Sequence, residues 1–116
     1  MPSVVRLRKG WEFDLIFRTG VRVNGDLVRL LYLRDSENVI KFGCAVGKRV
    51  GKAHIRSRGK RILRAAFREF SGKLIPGLKI VLTLREKGIG AKTQDIEKEL
   101  DRLFRRKKLL CFPASQ

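Results

Sequence analysis

Residues 48–68, KRVGKAHIRSRGKRILRAAFR, carry two patterns that together leave few folds open. Ile55, Ile62, Leu63, Ala66, Phe67 and Phe70 recur at the 3.6-residue period of an α-helix and gather on one side. Arg58, Lys60, Arg61, Arg64 and Arg68 project mainly from the other side, with Arg56 at the border. The spacing predicts one long amphipathic helix over about 54–70, closed by Ser71-Gly72. Its apolar stripe needs a sheet or another helix to cover it. No acidic residue occurs between Lys48 and Glu69, so nothing on the helix offsets its charge.

The flanking segments supply the cover. WEFDLIF places Trp11 with Leu15, and Phe13 with Ile16 and Phe17, at helical spacings, and Gly20 is a stop signal; a short helix is predicted over 9–19. Asn24-Gly25-Asp26 is turn chemistry. LVRLLYLR (27–34) and VIKFGCAV (39–46) read as the two strands of a hairpin whose loop is Asp35 to Asn38. After the Pro76-Gly77 turn, LKIVLTL (78–84) is the clearest strand in the chain. A last helix is predicted over 93–106, with Ile96, Leu100, Leu103 and Phe104 as its core face and Thr93 near its cap. The order helix, strand, strand, long helix, strand, helix predicts an α+β domain spanning 1–116, a short sheet covered by helices on one face. Residues 109–116 are expected to fray, although Leu110, Cys111 and Phe112 could fold back.

Net charge decides between partners. The chain has 116 residues, 28 Lys and Arg against 11 Asp and Glu, and a formal charge of +17. Self-repulsion on that scale destabilises a compact state, and a polyanion relieves it. An anionic membrane is the weaker candidate, because the apolar face of the helix is what a sheet would cover, and no apolar run is long enough to span a bilayer. The start, MPSVVRLRKG, lacks a secretory signal pattern, and Cys44 and Cys111 are too few and too distant for a disulfide scaffold or zinc site. Both features predict a cytoplasmic protein with free thiols.

Catalytic groups are scarce. His54 is the only histidine, so no histidine triad, relay or zinc set can be built. Asp95, Glu97, Glu99 and Asp101 cluster on the last helix, but Lys98, Arg102 and Arg105 stand at salt-bridge spacing, which predicts a solvated face. KGIG (87–90) lacks the lysine and spacing of a phosphate-binding loop. The expectation is a binding protein with no catalytic residue, no metal ligands and no cofactor of its own. Arginine dominates the basic helix and suits bidentate phosphate contact and base stacking. RNA is favoured over DNA, because a rigid basic helix sits well against phosphates around the junctions of a folded RNA.

The stretch GCAVGKRVGKAHIRSRGKRILRAAFREF resembles the signature of the bacterial ribonuclease P protein subunit. RLRKGWEFDLIFRTG is similar to that family's opening and LIPGLKIVLTLREK to its proline-led strand, so the resemblance covers nearly the whole chain. Three positions depart from the pattern: Ser57 stands where the family has asparagine, Gly59 where it has a larger residue, and Gly47 where serine is common.

The resemblance implies an α/β sandwich with a left-handed βαβ crossover, where sequence pattern alone predicts the usual right hand. It implies a subunit that assists a catalytic RNA in removing the 5′ leader of precursor tRNA, with Mg²⁺ held by the RNA. Carried over, Arg56, Ser57, Arg58, Lys60, Arg61, Arg64 and Arg68 form an RNA-contacting helix, preceded by Lys48, Arg49 and Lys52 on the same surface. Phe13 and Phe17 match aromatics of a cleft for the single-stranded leader; on periodicity alone, core packing explains them equally well. The alternative is a ribosomal or other rRNA-binding protein, which shares the charge, the size and the lack of chemistry.

Overall fold

The computed structural model describes residues 3–111. Five strands, β1 (Ser3–Arg6), β2 (Val21–Asn24), β3 (Val28–Arg34), β4 (Val39–Ala45) and β5 (Leu78–Leu84), form one mixed sheet in the order β1-β4-β5-β3-β2. Helix α1 (Gly10–Thr19) follows β1, α2 (Ala53–Arg68) joins β4 to β5, and α3 (Thr93–Arg106) closes the fold. The three helices and three longer strands form at or within a few residues of where periodicity puts them.

Four expectations need correction. The two four-residue edge strands β1 and β2 were not foreseen. Strands β3 and β4 are not a hairpin: β5 lies between them, antiparallel to β3 and parallel to β4. Leu78, Ile80 and Leu82 are fully buried, so β5 gains more from the centre of the sheet than from an edge. Helices cover both faces, not one. Alternation sends Leu30, Tyr32, Ile80 and Leu82 to the layer under α2 and α3, and Leu31 and Val81 to a smaller layer with Ile16 of α1. Finally, residues 109–111 pack back against the segment before β5. Leu109 is buried, Ile75 N–H donates to its carbonyl at 2.9 Å, and Leu110 bridges Leu74. The rest of the expected tail, including Phe112, lies outside the described residues.

The hand of the β4-α2-β5 crossover follows from two hydrogen bonds. With a strand running upward and its side chain toward the viewer, an L residue turns its N–H and C=O to the right. Phe42 faces α2, stacking on Phe67 at 3.7 Å between ring centroids, and its carbonyl accepts from Leu7 N–H beyond the end of β1. Strand β1 is therefore right of β4 when seen from α2, and β5 is left. Val28, on the same face of a descending strand, turns its carbonyl left to Gly25 beside β2, in agreement. The chain crosses in front and steps left. The crossover is left-handed, against the strong general preference.

Two close approaches fix the helices on the sheet. Gly59 is buried at the middle of α2, and a Cβ there would lie 3.0 Å from Leu84 Cδ2. The glycine weakens the helix by about 0.5–1 kcal/mol relative to alanine but admits the sheet to the helix backbone. Helix α3 is tied down by Glu99, which is 4% exposed. Its carboxylate accepts from the N–H groups of Asp26, Leu27 and Val28 at 2.9, 2.9 and 2.7 Å. The acidic cluster is thus not a wholly solvated face, although Asp101 and Arg105 do pair at 2.8 Å. The helix cap also differs: Asp95 accepts from Lys92 N–H at 3.3 Å, in place of a cap by Thr93.

Candidate nucleic-acid interface

Helix α2 lies with Leu63, Ala66 and Phe67 against the sheet, which turns its cations outward. Arg56, Lys60, Arg64 and Arg68 follow one another at four-residue intervals, a row along one flank. Arg58 and Arg61 occupy the other flank and share a depression with Lys92 and Thr93 at the start of α3. Ser57, Arg58, Arg61 and Arg68 are exposed; Arg56, Lys60 and Arg64 are half-buried. The Nε of Arg56 is buried with no hydrogen-bond partner among the described residues.

None of the α2 cations joins an ion pair among the described residues. Elsewhere several cations do pair with carboxylates. Lys41 meets Glu12 at 3.2 Å and Lys79 meets Asp35 at 3.1 Å. Burial alone would raise the Glu12 and Asp35 carboxyls, but the hydrogen bonds and charge of Lys41 and Lys79 outweigh it and hold both below their ordinary values. On α2 the unpaired charge sits at the wrong end as well. Its first turn holds no acidic residue and follows Lys52, where the helix dipole favours an anion. Lys48 and Arg49 form a short 3₁₀ turn immediately before, both exposed.

A second feature opens below that turn. A groove of about 850 Å³ is lined by Phe17 of α1, Arg29 of β3, Lys48 and Arg49, together with the carboxylates of Asp26 and Glu86. It combines an aromatic ring with cations, as unpaired RNA requires. Arg29 was missed by sequence reading. Its odd position in β3, in step with Leu31, was the available signal, because that phase faces α1. Phe13 is half-buried with Phe17 against the same apolar layer, but lines another depression; its ring packs against Gly43, where a Cβ would come within 2.5 Å of it. Sequence reading put both rings in one groove.

No group of three or more histidine, cysteine, aspartate or glutamate residues that could hold a metal occurs among the described residues. His54 is exposed at the start of α2. No helix among the described residues is long and apolar enough to cross a membrane.

A family model described as Ribonuclease P matches residues 1–108. The chain belongs to the ribonuclease P protein family. The ribonuclease P protein component of Natranaerobius thermophilus is 31% identical over 110 residues, covering 95% of this chain and 96% of that protein. That of Shouchella clausii is 30% identical over 112 residues, covering 96% and 92%. The RNase P protein from Thermotoga maritima superposes with a TM-score of 0.77 at 27% identity, over 88% of this chain and 96% of that one. The Staphylococcus aureus RNase P protein, at 21% identity and a TM-score of 0.76, covers 90% and 95% and supports the fold. Membership makes this chain the protein component of a tRNA-processing ribonucleoprotein, an endoribonuclease whose other part is RNase P RNA. The alternative of a ribosomal protein is set aside.

Proposed function

We propose that the α2 cations bind RNase P RNA and that the groove at Phe17 takes the single-stranded 5′ leader of precursor tRNA. The observation that carries this reading is the set of unpaired cations on α2, from Arg56 to Arg68, held on a helix whose other side is locked to the sheet. A polyanion removes their mutual repulsion, and each phosphate contact releases counterions. Lys48, Arg49 and Lys52 extend the same surface to the groove, so one chain contacts catalytic RNA and substrate together. Phe17 offers a face for base stacking and Arg29 a charge for the backbone; Phe13, one turn earlier, borders the neighbouring cavity.

Catalysis belongs to the RNA on this reading. Mg²⁺ held by the RNA would supply the activated water for phosphodiester hydrolysis, while the protein neutralises phosphates and positions the leader. The protein binds no cofactor and works in the cytoplasm. Reconstitution with a bacterial RNase P RNA tests it. The protein should stimulate leader removal at low Mg²⁺, be dispensable at high Mg²⁺, and cleave nothing alone. Cleavage of precursor tRNA by nuclease-free protein would overturn the assignment, and His54→Ala should leave the chemical step unchanged.

A further inference from the structure

The β4 edge next to β1 is open beyond Phe42. Pairing with β1 ends at Arg6 opposite Phe42, and after the Leu7 N–H bond to the Phe42 carbonyl the chain leaves for α1. Alternation turns Cys44 the same way as Phe42, so its N–H and C=O point past the end of β1, where no strand lies among the described residues. Its register partner Leu82 is on the other side. A donor and an acceptor without a strand partner therefore stand side by side on a rigid strand, at the half-buried Cys44.

A cavity of about 470 Å³ lies at this open edge. Its apolar lining includes Leu7, Phe13, Phe42 and Phe67, its charge comes from Arg6, Arg64 and Arg68, and it contains no acidic residue. Val4, 42% exposed, borders it on β1. The volume is in the range of small-ligand sites. A second copy of this chain is a poor occupant, because each copy carries a net charge of +17.

We propose that this cavity receives one unpaired nucleotide of RNase P RNA, its pairing edge on the Cys44 backbone and its phosphate on Arg64 or Arg68. Every base carries an adjacent donor and acceptor on its pairing edge, which a strand's N–H and C=O can meet. An arginine plane can cover the exposed face of the base. The RNA subunit is the source because Arg64 and Arg68 continue the α2 row, so the proposal rests on the reading that this row binds that RNA. The leader groove opens elsewhere, around Phe17 and Lys48.

Chemical footprinting of the RNA subunit tests the proposal, with dimethyl sulfate and a carbodiimide together probing the pairing edges of all bases. Saturating protein, without precursor tRNA, should protect the pairing edge of one single-stranded nucleotide. Val4→Trp, an exposed change that narrows the cavity mouth, should restore its reactivity and weaken RNA binding about tenfold. Its melting curve should match the wild type; if it is lowered, Val4→Glu, which sets a carboxylate against the incoming phosphate, replaces it. Protein that binds the RNA with identical pairing-edge protections in wild type and both variants would overturn the cavity proposal alone. Failure of wild-type protein to bind the RNA would overturn the α2 reading instead. A protection that appears only with precursor tRNA, and on its leader, would assign the cavity to the substrate and likewise overturn the proposal.

Discussion

Glu99 on α3 accepts the backbone N–H of Val28 at 2.7 Å, across 71 residues of sequence, in the interior of the protein. The same carboxylate holds the N–H groups of Asp26 and Leu27, so it closes the β2–β3 turn and docks the last helix at once. Glu99→Ala should leave three donors short of a partner and destabilise the fold by roughly 3 kcal/mol, measured by urea unfolding. Glu99→Gln, which keeps one acceptor, should cost less. Gly25→Ala should destabilise too, since its Cβ would lie 2.6 Å from the Glu99 carboxyl.

Arg58, Lys60, Arg61 and Arg64 are expected on phosphates. Each single alanine variant should weaken binding to RNase P RNA and flatten the log–log salt dependence by about one unit at most. A slope that stays constant across all four would argue against phosphate contact. Melting temperatures should hold, because Leu63, Ala66 and Phe67 keep the core face.

Phe17 separates stacking from packing. If leader bases stack on it, Phe17→Ala should weaken precursor tRNA binding to the holoenzyme by about 1–3 kcal/mol and leave mature tRNA binding nearly unchanged. A preserved ratio of the two affinities, with a lowered melting point, would make the ring part of the apolar layer around Ile16 and Val81.

The two cysteines should differ in reactivity. Burial pushes the Cys44 thiol up to about 12, against the lowering pull of Arg64, Lys60 and Arg6, whereas Cys111 is exposed. Alkylation at pH 8 should therefore label Cys111 first, and Cys44 slowly. The sign for stability follows: a raised thiol favours the neutral folded form, so its contribution is complete below the unfolded value of 9.0 and is lost as pH climbs toward about 12. Replacing Cys44 by alanine should reduce the alkaline loss of stability.

Lys108 is the one described non-glycine residue with positive φ, at 58°. It ends α3 in a Schellman arrangement: Leu109 N–H reaches the Phe104 carbonyl at 2.9 Å and Lys108 N–H the Arg105 carbonyl at 3.1 Å. Lys108→Gly should stabilise the protein by about 1 kcal/mol, read as a raised melting temperature.

Legibility varied with the kind of signal. Helix α3 was predicted over the residues it occupies and α2 nearly so, because an apolar stripe at helical period has one reading when it runs for four turns. Edge strands β1 and β2 escaped because four residues with mostly exposed side chains leave little periodicity to detect. The false hairpin had sound local chemistry at Asp35 to Asn38; pairing partners are chosen by burial across the sheet, which no local window contains. Glu99 looked like one of four surface acids. Its place in the core phase, three residues after Ile96 and four before Leu103, was the clue, but the three N–H groups it satisfies lie far back in the chain. Within the basic surface, residue types were readable from sequence, while its division into a ridge and a groove depended on how α1 and the turn at Lys48 pack.

The central position of β5 sets an order of events during synthesis. Strands β3 and β4 leave the ribosome early, yet neither has its principal neighbour until residues 78–84 have followed. Before then α2, with all its cations, has only half a platform, and its apolar side faces water. The basic helix is thus complete as a sequence long before it is rigid as a surface. A nascent chain stopped short of Leu84 carries the charge without the geometry, which is complete only when the last strand slots between two that were made before it.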